Sequence, residues 1–279
     1  MKVGVHVSIA GGIENSVARA RELGCDIFQI FTRSSRSWAV KDLNPNSVSL
    51  FRKNKIAENY SQSIVHMPYL PNFATIEEET YKKSLNALIN EIERCELLDI
   101  SFLVLHLGSH KGKGMKIGQK QIINTLETAI SKDQKVKLLL ENSAGTKNSM
   151  GSSFEDLGTI IDQLSDTSGI GICFDTCHAF AAGYDLRTEK KVQMTLEEFD
   201  KYVGIDKINV IHANDSKVDL LGKRDLHEHI GLGFIGETGF KNIIKYFPKV
   251  PYILETPIDE RRNDHGNLAK IRSLAEFSS

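Results

Sequence analysis

Six apolar, β-branched runs in this chain of 279 residues each close on a side chain that can bind a metal or move a proton: His66, His106, Glu141, Asp175, His212 and Glu255. The most telling is Gly171 to His178, Gly-Ile-Cys-Phe-Asp-Thr-Cys-His, where Ile170, Ile172 and Phe174 read as a buried strand and Asp175 falls where that strand should stop. A carboxylate there is costly unless it is paired or faces a cation, and His178, three residues on, offers a second ligand on the following turn. The long loop after His212 adds Asp225 and His227. Five histidines and four carboxylates thus accumulate as candidate ligands. Singly, any of them is as well explained by a satisfied hydrogen bond, and His6 and His110 are read that way. Together they are not, because chance would have to put metal-type residues at six separate strand ends.

The elements that must position these residues alternate between strand and helix. A strand at residues 2–8 precedes a helix with Ile13, Val17, Ala20 and Leu23 on one face, stopped by Gly24 as a C-cap. Strand 26–31 runs into a polar loop with Arg33, Arg36 and the only tryptophan, Trp38, before a helix over 46–59. Strand 63–66 is followed by an unusually apolar connection, Met67-Pro68-Tyr69-Leu70-Pro71-Asn72-Phe73. Its helix is predicted to open on a capping box, Thr75 with Glu78, and to bury Tyr81, Leu85, Leu88, Ile92 and Cys95. Strand 102–106 leads to a glycine- and lysine-rich loop at 108–114 and a helix with Ile122, Leu126 and Ile130. Strand 136–141 precedes a helix opened by the capping box Ser152 with Glu155. The strand ending at Asp175 is followed by a loop through Gly183-Tyr184-Asp185 and a helix from about Leu196. Strand 208–212 has a long polar loop reaching Gly233, and the last strand is 252–255.

Eight such alternations, with strands apolar throughout, predict an α/β fold closed as a TIM (β/α)8 barrel, whose active site forms at the C-terminal ends of its strands. The six strand-end residues then converge on one mouth. A doubly wound sheet is the alternative, but no glycine-rich dinucleotide fingerprint follows the first strand, and Gly11-Gly12 is only a turn.

No Pro/Ser-rich linker divides the chain, so one domain over residues 1–279 is expected. Cys25, Cys95, Cys173 and Cys177 sit inside apolar or helical patterns, as reduced thiols of a cytoplasmic protein would. Cys173 and Cys177 flank Asp175 and are either soft ligands or small buried hydrophobes. Met1 leads straight into the first strand and no apolar run reaches membrane-spanning length, so a soluble protein without a signal peptide is expected. The formal net charge of −1 excludes a generally basic protein but not a local basic surface.

Zinc at a catalytic site takes three protein ligands and keeps a place for water, so nine ligands with a shared carboxylate or two suit three zinc ions. Six positive charges against four carboxylates leave a surplus that would hold an anion and lower the pKa of a bound water. A phosphate diester fits. Arg33, Arg36, Lys111, Lys113, Lys116, Lys147, Lys217, Lys223, Arg224, Arg261 and Arg262 all lie in connections that follow strands, the side on which a phosphate-binding surface belongs. Tyr69 and Leu70, either loop core or an exposed apolar pair beside a ligand, would in the second case push into a duplex and extrude a nucleotide.

Gly4-Val5-His6-Val7-Ser8-Ile9-Ala10-Gly11-Gly12, Leu140-Glu141-Asn142, the run from Cys173 to Asp185, His212-Ala213-Asn214-Asp215-Ser216 and Asp225-Leu226-His227 resemble endonuclease IV, the trinuclear-zinc apurinic/apyrimidinic endonucleases, along the whole chain. The resemblance implies a xylose-isomerase-like TIM barrel and three zinc ions: one on His66, His106 and Glu141, one on Glu141 as a bridge with Asp175, His212 and Glu255, and one on His178, Asp225 and His227. It implies double-stranded DNA containing abasic sites as substrate, cut 5′ to the abasic site to leave a 3′-hydroxyl, with trimming of blocked 3′ ends in some members. It implies that Glu141 and Glu255 are catalytic, Glu255 orienting or deprotonating the attacking water, and that Arg36, Tyr69 and Leu70 enter the DNA stack. Leu226 stands where an arginine is common and Leu232 where a glutamate is common, and the first is expected to weaken phosphate contact on its loop. A monomer suffices for all of this. The rivals are a divalent-metal sugar isomerase or epimerase, which leaves Asp225, His227 and the basic loops unexplained, and a zinc-binding protein without catalysis.

Overall fold

The computed structural model describes residues 1–276. In chain order the strands are β1 (Val3–Val5), β2 (Gln29–Ile30), β3 (Ile64–His66), β4 (Phe102–His106), β5 (Lys137–Glu141), β6 (Ile170–Asp175), β7 (Ile208–His212), β8 (Asp215–Ser216), β9 (His227–Glu228) and β10 (Tyr252–Leu254). All but β8 and β9 form one parallel sheet, in the order β1-β10-β7-β6-β5-β4-β3-β2. The seam between β1 and β2 closes through a parallel bridge, His6 with Gln29, and the bonds Val7 N to Gln29 O (2.7 Å) and Asp26 N to Val3 O (2.8 Å). A Cβ on Gly4 would lie 1.6 Å from Ile27 O, so the seam requires glycine there. The predicted eight-stranded barrel is the observed fold.

Side chains alternate in and out along each strand, and the inward set stacks in two layers. Ile27, Ile64, Val104, Leu139, Cys173, Val210 and Ile253 form a buried cluster of their own at the lower level. Two residues further along each strand come Gln29, His66, His106, Glu141, Asp175, His212 and Glu255, with His6 from the end of β1. The register staggers as closure demands: His66 pairs with Val104, Glu141 with Cys173, His212 with Ile253 and Gln29 with Ile64, each two residues short of the next polar side chain. One strand period therefore converts six hydrophobic runs into a ring of ligand-type groups over an apolar floor.

The helices α1 (Asn15–Glu22), α2 (Pro45–Ala57), α3 (Glu78–Leu98), α4 (Met115–Ala129), α5 (Phe154–Asp162), α6 (Thr176–Ala182), α7 (Glu189–Tyr202), α8 (Gly236–Tyr246) and α9 (Asp264–Glu276) cover the outside. Their starts depart from the sequence reading in three places. α3 is capped by Glu77, whose carboxylate accepts from the N–H groups of Glu79 (3.1 Å) and Thr80 (2.8 Å), while Thr75 accepts from Glu77 N and caps nothing. α5 is capped by Ser153, accepting from Asp156 N, so the expected box lies one residue too early. α7 begins at Glu189 on a Thr188 cap, a full two turns before Leu196, because its first turns are solvent-facing and carry little apolar signal. Gly24 takes the left-handed conformation just past α1, as the C-cap reading requires. Among the described residues no helix is long and apolar enough to cross a membrane.

Candidate metal centre

The nine sequence-selected ligands meet at the C-terminal mouth of the barrel. Glu141 is the hub. Its Oε2 lies 2.9 Å from His106 Nε2 and 3.2 Å from His66 Nε2, and its Oε1 lies 3.0 Å from His212 Nδ1. His212 Nδ1 is also 3.3 Å from Glu255 Oε2 and 3.9 Å from Asp175 Oδ2. Asp225 brings one oxygen within 3.1 Å of both His178 Nε2 and His227 Nε2. The donor atoms of His66, His106 and Glu141, of Glu141, Asp175, His212 and Glu255, and of His178, Asp225 and His227 each fall within 4.8 Å of one another.

Local backbone explains how the side chains reach these positions. β6 ends on Asp175, which turns at once into the N-cap of α6 and accepts from His178 N at 2.7 Å, so one helical turn brings His178 back over the carboxylate. β8 and β9 pair antiparallel, Ser216 opposite His227, and this small hairpin swings Asp225 and His227 over the mouth. The sequence reading had only a polar loop there. Its base is held by Asp215, whose buried carboxylate accepts backbone N–H bonds from Ser216, Gly231, Gly233, Ile235 and Gly236 at 2.8–3.2 Å.

Four of the five histidines have one ring nitrogen tied down and the other aimed at the cluster. Nδ1 of His66 meets Met67 O (2.7 Å), that of His178 meets Asn142 O (2.9 Å) and that of His227 meets Glu255 O (3.1 Å). A carbonyl only accepts, so these Nδ1 atoms carry the hydrogen and Nε2 is left as the donor to a cation. In His212 the roles reverse, Nε2 facing Gln29 Oε1 at 2.9 Å and Nδ1 facing the cluster. The Nε2 atoms of His178 and His227 are buried, and neither makes an aligned hydrogen bond despite its closeness to Asp225. Buried polar atoms left in this way are costly unless something charged sits among them. The set of imidazole nitrogens and carboxylate oxygens, without an accessible thiolate, suits zinc.

The carboxylates make the mouth a place that favours positive charge. Burial pulls the His178 pKa down, but Asp175, Asp225 and Glu141 outweigh it and push it up to about 10. His227 likewise rises to about 9, burial being outweighed by the Asp225 carboxylate 3.1 Å away and the charge of Asp175. Burial alone would raise the Glu141 carboxyl, but the histidines 106 and 212 hold it well below the ordinary range. Cys173 and Cys177 are near enough to join the clusters, yet both are buried thiols, Cys173 pushed up by burial to about 12, and they pack as small hydrophobes.

Three residues at the site escaped the sequence reading. Gln29 occupies the same inward position on β2 as the ligands do on theirs, which is the signal that could have found it. Asn142, next to Glu141, exchanges both amide groups with the backbone of Asp175 (2.8 and 2.9 Å). Asn214 donates to Asp175 Oδ2 (2.8 Å) and accepts from Glu255 N (2.8 Å). His110 accepts from Gly114 N within its own loop, as read, whereas His6 joins the ring 3.6 Å from Glu255.

Around the mouth, Arg36, Tyr69 and Leu70 are exposed, as are Lys111, Lys113, Lys116, Lys147, Lys217, Lys223 and Arg224. The expectation fails for Arg33, which is buried against Glu91 (3.0 Å). Arg261 remains exposed while paired with Asp259 and Glu228, and Arg262 donates to Ile230 O. Tyr69 and Leu70 are outside the core, with the Tyr69 ring edge-on to Phe31 and 5.8 Å from that of His66. They line a cavity of about 410 Å³ together with His106, His178, Asp225, Ser109, Lys111 and Thr146.

A parallel barrel with a histidine and carboxylate cluster at this mouth is compatible with metal binding, and residues 17–277 match the family of xylose isomerase-like TIM barrels. Within that class the chain belongs to the endonuclease IV family. It is 50% identical over 277 residues to a probable endonuclease 4 of Methanoculleus marisnigri, covering 98% of each chain. The crystal structure of endonuclease IV from Thermus thermophilus superposes with a TM-score of 0.88 at 32% identity, covering 99% of this chain and all of that one. A D-tagatose 3-epimerase-like protein superposes at 0.77 with 22% identity over the full chain, a likeness of fold alone.

Proposed function

We propose that this chain is a zinc-dependent DNA repair endonuclease that hydrolyses the phosphodiester bond 5′ to an abasic site in duplex DNA, leaving a 3′-hydroxyl and a 5′-deoxyribose phosphate, and that it also trims blocked 3′ ends. The observation that carries the reading is the convergence of nitrogen and oxygen donors from six barrel strands and the β8–β9 hairpin, with His178 Nε2 and His227 Nε2 buried and unpaired at its edge. Family membership supplies the reaction class.

In this reading His66, His106 and Glu141 would hold one zinc, Glu141, Asp175, His212 and Glu255 a second, and His178, Asp225 and His227 a third. Zinc bound there would supply positive charge for the phosphate and a water acidic enough to attack at neutral pH. The residues do the rest. Glu141 turns Oε2 toward His66 and His106 and Oε1 toward His212, so it would serve both of the first two sites. Glu255 keeps Oε1 on Gln29 (2.7 Å) and Oε2 toward the cluster, which leaves it placed to orient and deprotonate the water. Exposed Arg36 and the lysines of the loops after β4, β5 and β7 contact phosphates, and Tyr69 with Leu70 fills the gap left in the stack beside the cavity.

The test is incision of a labelled duplex carrying one tetrahydrofuran abasic analogue, by protein purified without added metal and by a chelator-stripped sample. The analogue cannot undergo β-elimination, so a cut must be hydrolytic. A 5′ cut lost on stripping and restored by zinc is expected. A protein loaded with about three zinc ions that leaves the analogue intact would overturn the proposal.

A further inference from the structure

We infer that Gln29 is a positioning residue for the metal centre, its one amide fixing both the His212 ring and the Glu255 carboxylate in the orientation that turns them toward a cation. The inference rests on the zinc reading above.

Gln29 is fully buried on the inward face of β2, at the β1–β2 seam, and its backbone is pinned by Val7 N (2.7 Å) and by the bridge to His6. Its side chain makes three contacts. One end lies 2.7 Å from Glu255 Oε1 and 3.0 Å from His6 Nδ1, and the other lies 2.9 Å from His212 Nε2. A carboxylate ionised beside histidines only accepts, so the end facing Glu255 is the NH2 group, and the end facing His212 is the carbonyl oxygen. The carbonyl in turn requires a hydrogen on His212 Nε2. In the neutral ring that a metal requires, this leaves the His212 Nδ1 lone pair facing Glu141 Oε1 at 3.0 Å and Glu255 Oε2 at 3.3 Å. Three acceptors turned on one another repel unless a cation lies among them, and Gln29 is what keeps them so turned. The second amide hydrogen goes to His6, so every polar atom of the side chain is used. Glutamate in its place would have no hydrogens for Glu255 and His6. Ligand-orienting partners of this kind are worth roughly 10–100-fold in metal affinity.

The test uses the full-length wild type, Gln29→Leu and Gln29→Asn, each loaded with zinc and titrated with a competing chelator, alongside nitrogen-15 NMR of the imidazoles. Asparagine keeps the amide but is one methylene short, so it remains available should the leucine variant fail to fold. Expected is that wild type holds His212 as the Nε2–H tautomer, and that both variants release one zinc per chain roughly tenfold or more readily while the ions at the other sites stay bound. Either variant retaining all its zinc as wild type does, with the His212 tautomer unchanged, would overturn the inference. A wild type that binds no zinc would instead sink the zinc reading, and this inference with it.

Discussion

His178 and His227, from different segments of the chain, hold their rings 5.5 Å apart and direct both Nε2 atoms to within 3.1 Å of a single oxygen of Asp225. Each ring is locked behind by a backbone carbonyl, so neither can turn away. Converging acceptors around a carboxylate suit a cation, and on the zinc proposal removing the carboxylate should empty that site alone. Asp225→Asn is therefore expected to carry about two zinc ions where wild type carries about three, as read by elemental analysis. Full zinc content in the variant would show that this trio is a hydrogen-bonded cluster.

The sites that share Glu141 should be less forgiving. His66→Ala and Asp175→Asn each remove a proposed ligand from the buried hub, and turnover on the abasic duplex should fall at least a hundredfold in each. Steady-state rates within tenfold of wild type in either variant would be incompatible with the assignment.

The loop cations divide into two groups that salt should tell apart. Arg36 is exposed, so Arg36→Ala should reduce the slope of log affinity against log salt by about one contact's worth. Arg33 is locked behind it by Glu91, which also takes the Thr32 hydroxyl, while Arg94 clamps Thr32 O (2.7 Å) and Lys41 O (2.9 Å). Glu91→Gln leaves a buried guanidinium uncompensated and should cost about 3–5 kcal/mol in denaturant unfolding. An unchanged unfolding midpoint would mean that α3 does not brace this loop.

The barrel and the convergence of these side chains were legible because both rest on the strand period. Each of His66, His106, Glu141, Asp175, His212 and Glu255 follows an inward apolar residue by two, so finding the strand finds the side chain at its mouth. What was not legible lacks that periodicity. Arg33 and Arg36 stand three apart in one polar loop, and nothing in the sequence says that Glu91, 58 residues on from Arg33, takes the first and leaves the second to solvent. The β8–β9 hairpin was missed because two paired residues per strand carry no pattern. Gln29 was passed over because an amide neither titrates nor binds zinc on its own, and only its neighbours give it a role.

Burial raises the Cys25 thiol from 9.0 to about 11. A group whose folded pKa is raised gives stability that is present below its unfolded value and is lost as pH rises through the folded one. Stability should thus fall between about pH 9 and pH 11, measured by denaturant titration, and Cys25→Ala should flatten part of that fall. Alkylation in native protein at pH 8 should be far slower than in guanidinium. Rapid native labelling of Cys25 would contradict its burial.

Tyr69 and Leu70 leave the barrel on a connection that is apolar yet rigid. The reason is Asn72, buried behind them, whose side-chain oxygen accepts from Ala74 N (3.1 Å) and Ser109 N (2.9 Å) and whose amide donates to Ser109 O (3.0 Å). These bonds staple the loop after β3 to the loop after β4, and a Cβ on Gly108 would strike Asn72 Oδ1 at 2.2 Å. A stapled loop can hold a wedge without ordering it on binding, which saves conformational entropy. Tyr69→Ala with Leu70→Ala should leave zinc content intact and raise KM for an abasic duplex at least tenfold, while a single strand with the same lesion, which has no stack to open, should be affected far less. Equal loss on both substrates would make the pair part of the metal-site wall. Asn72→Ala should then reproduce a weaker form of the double variant, because it loosens the loop and leaves both side chains in place.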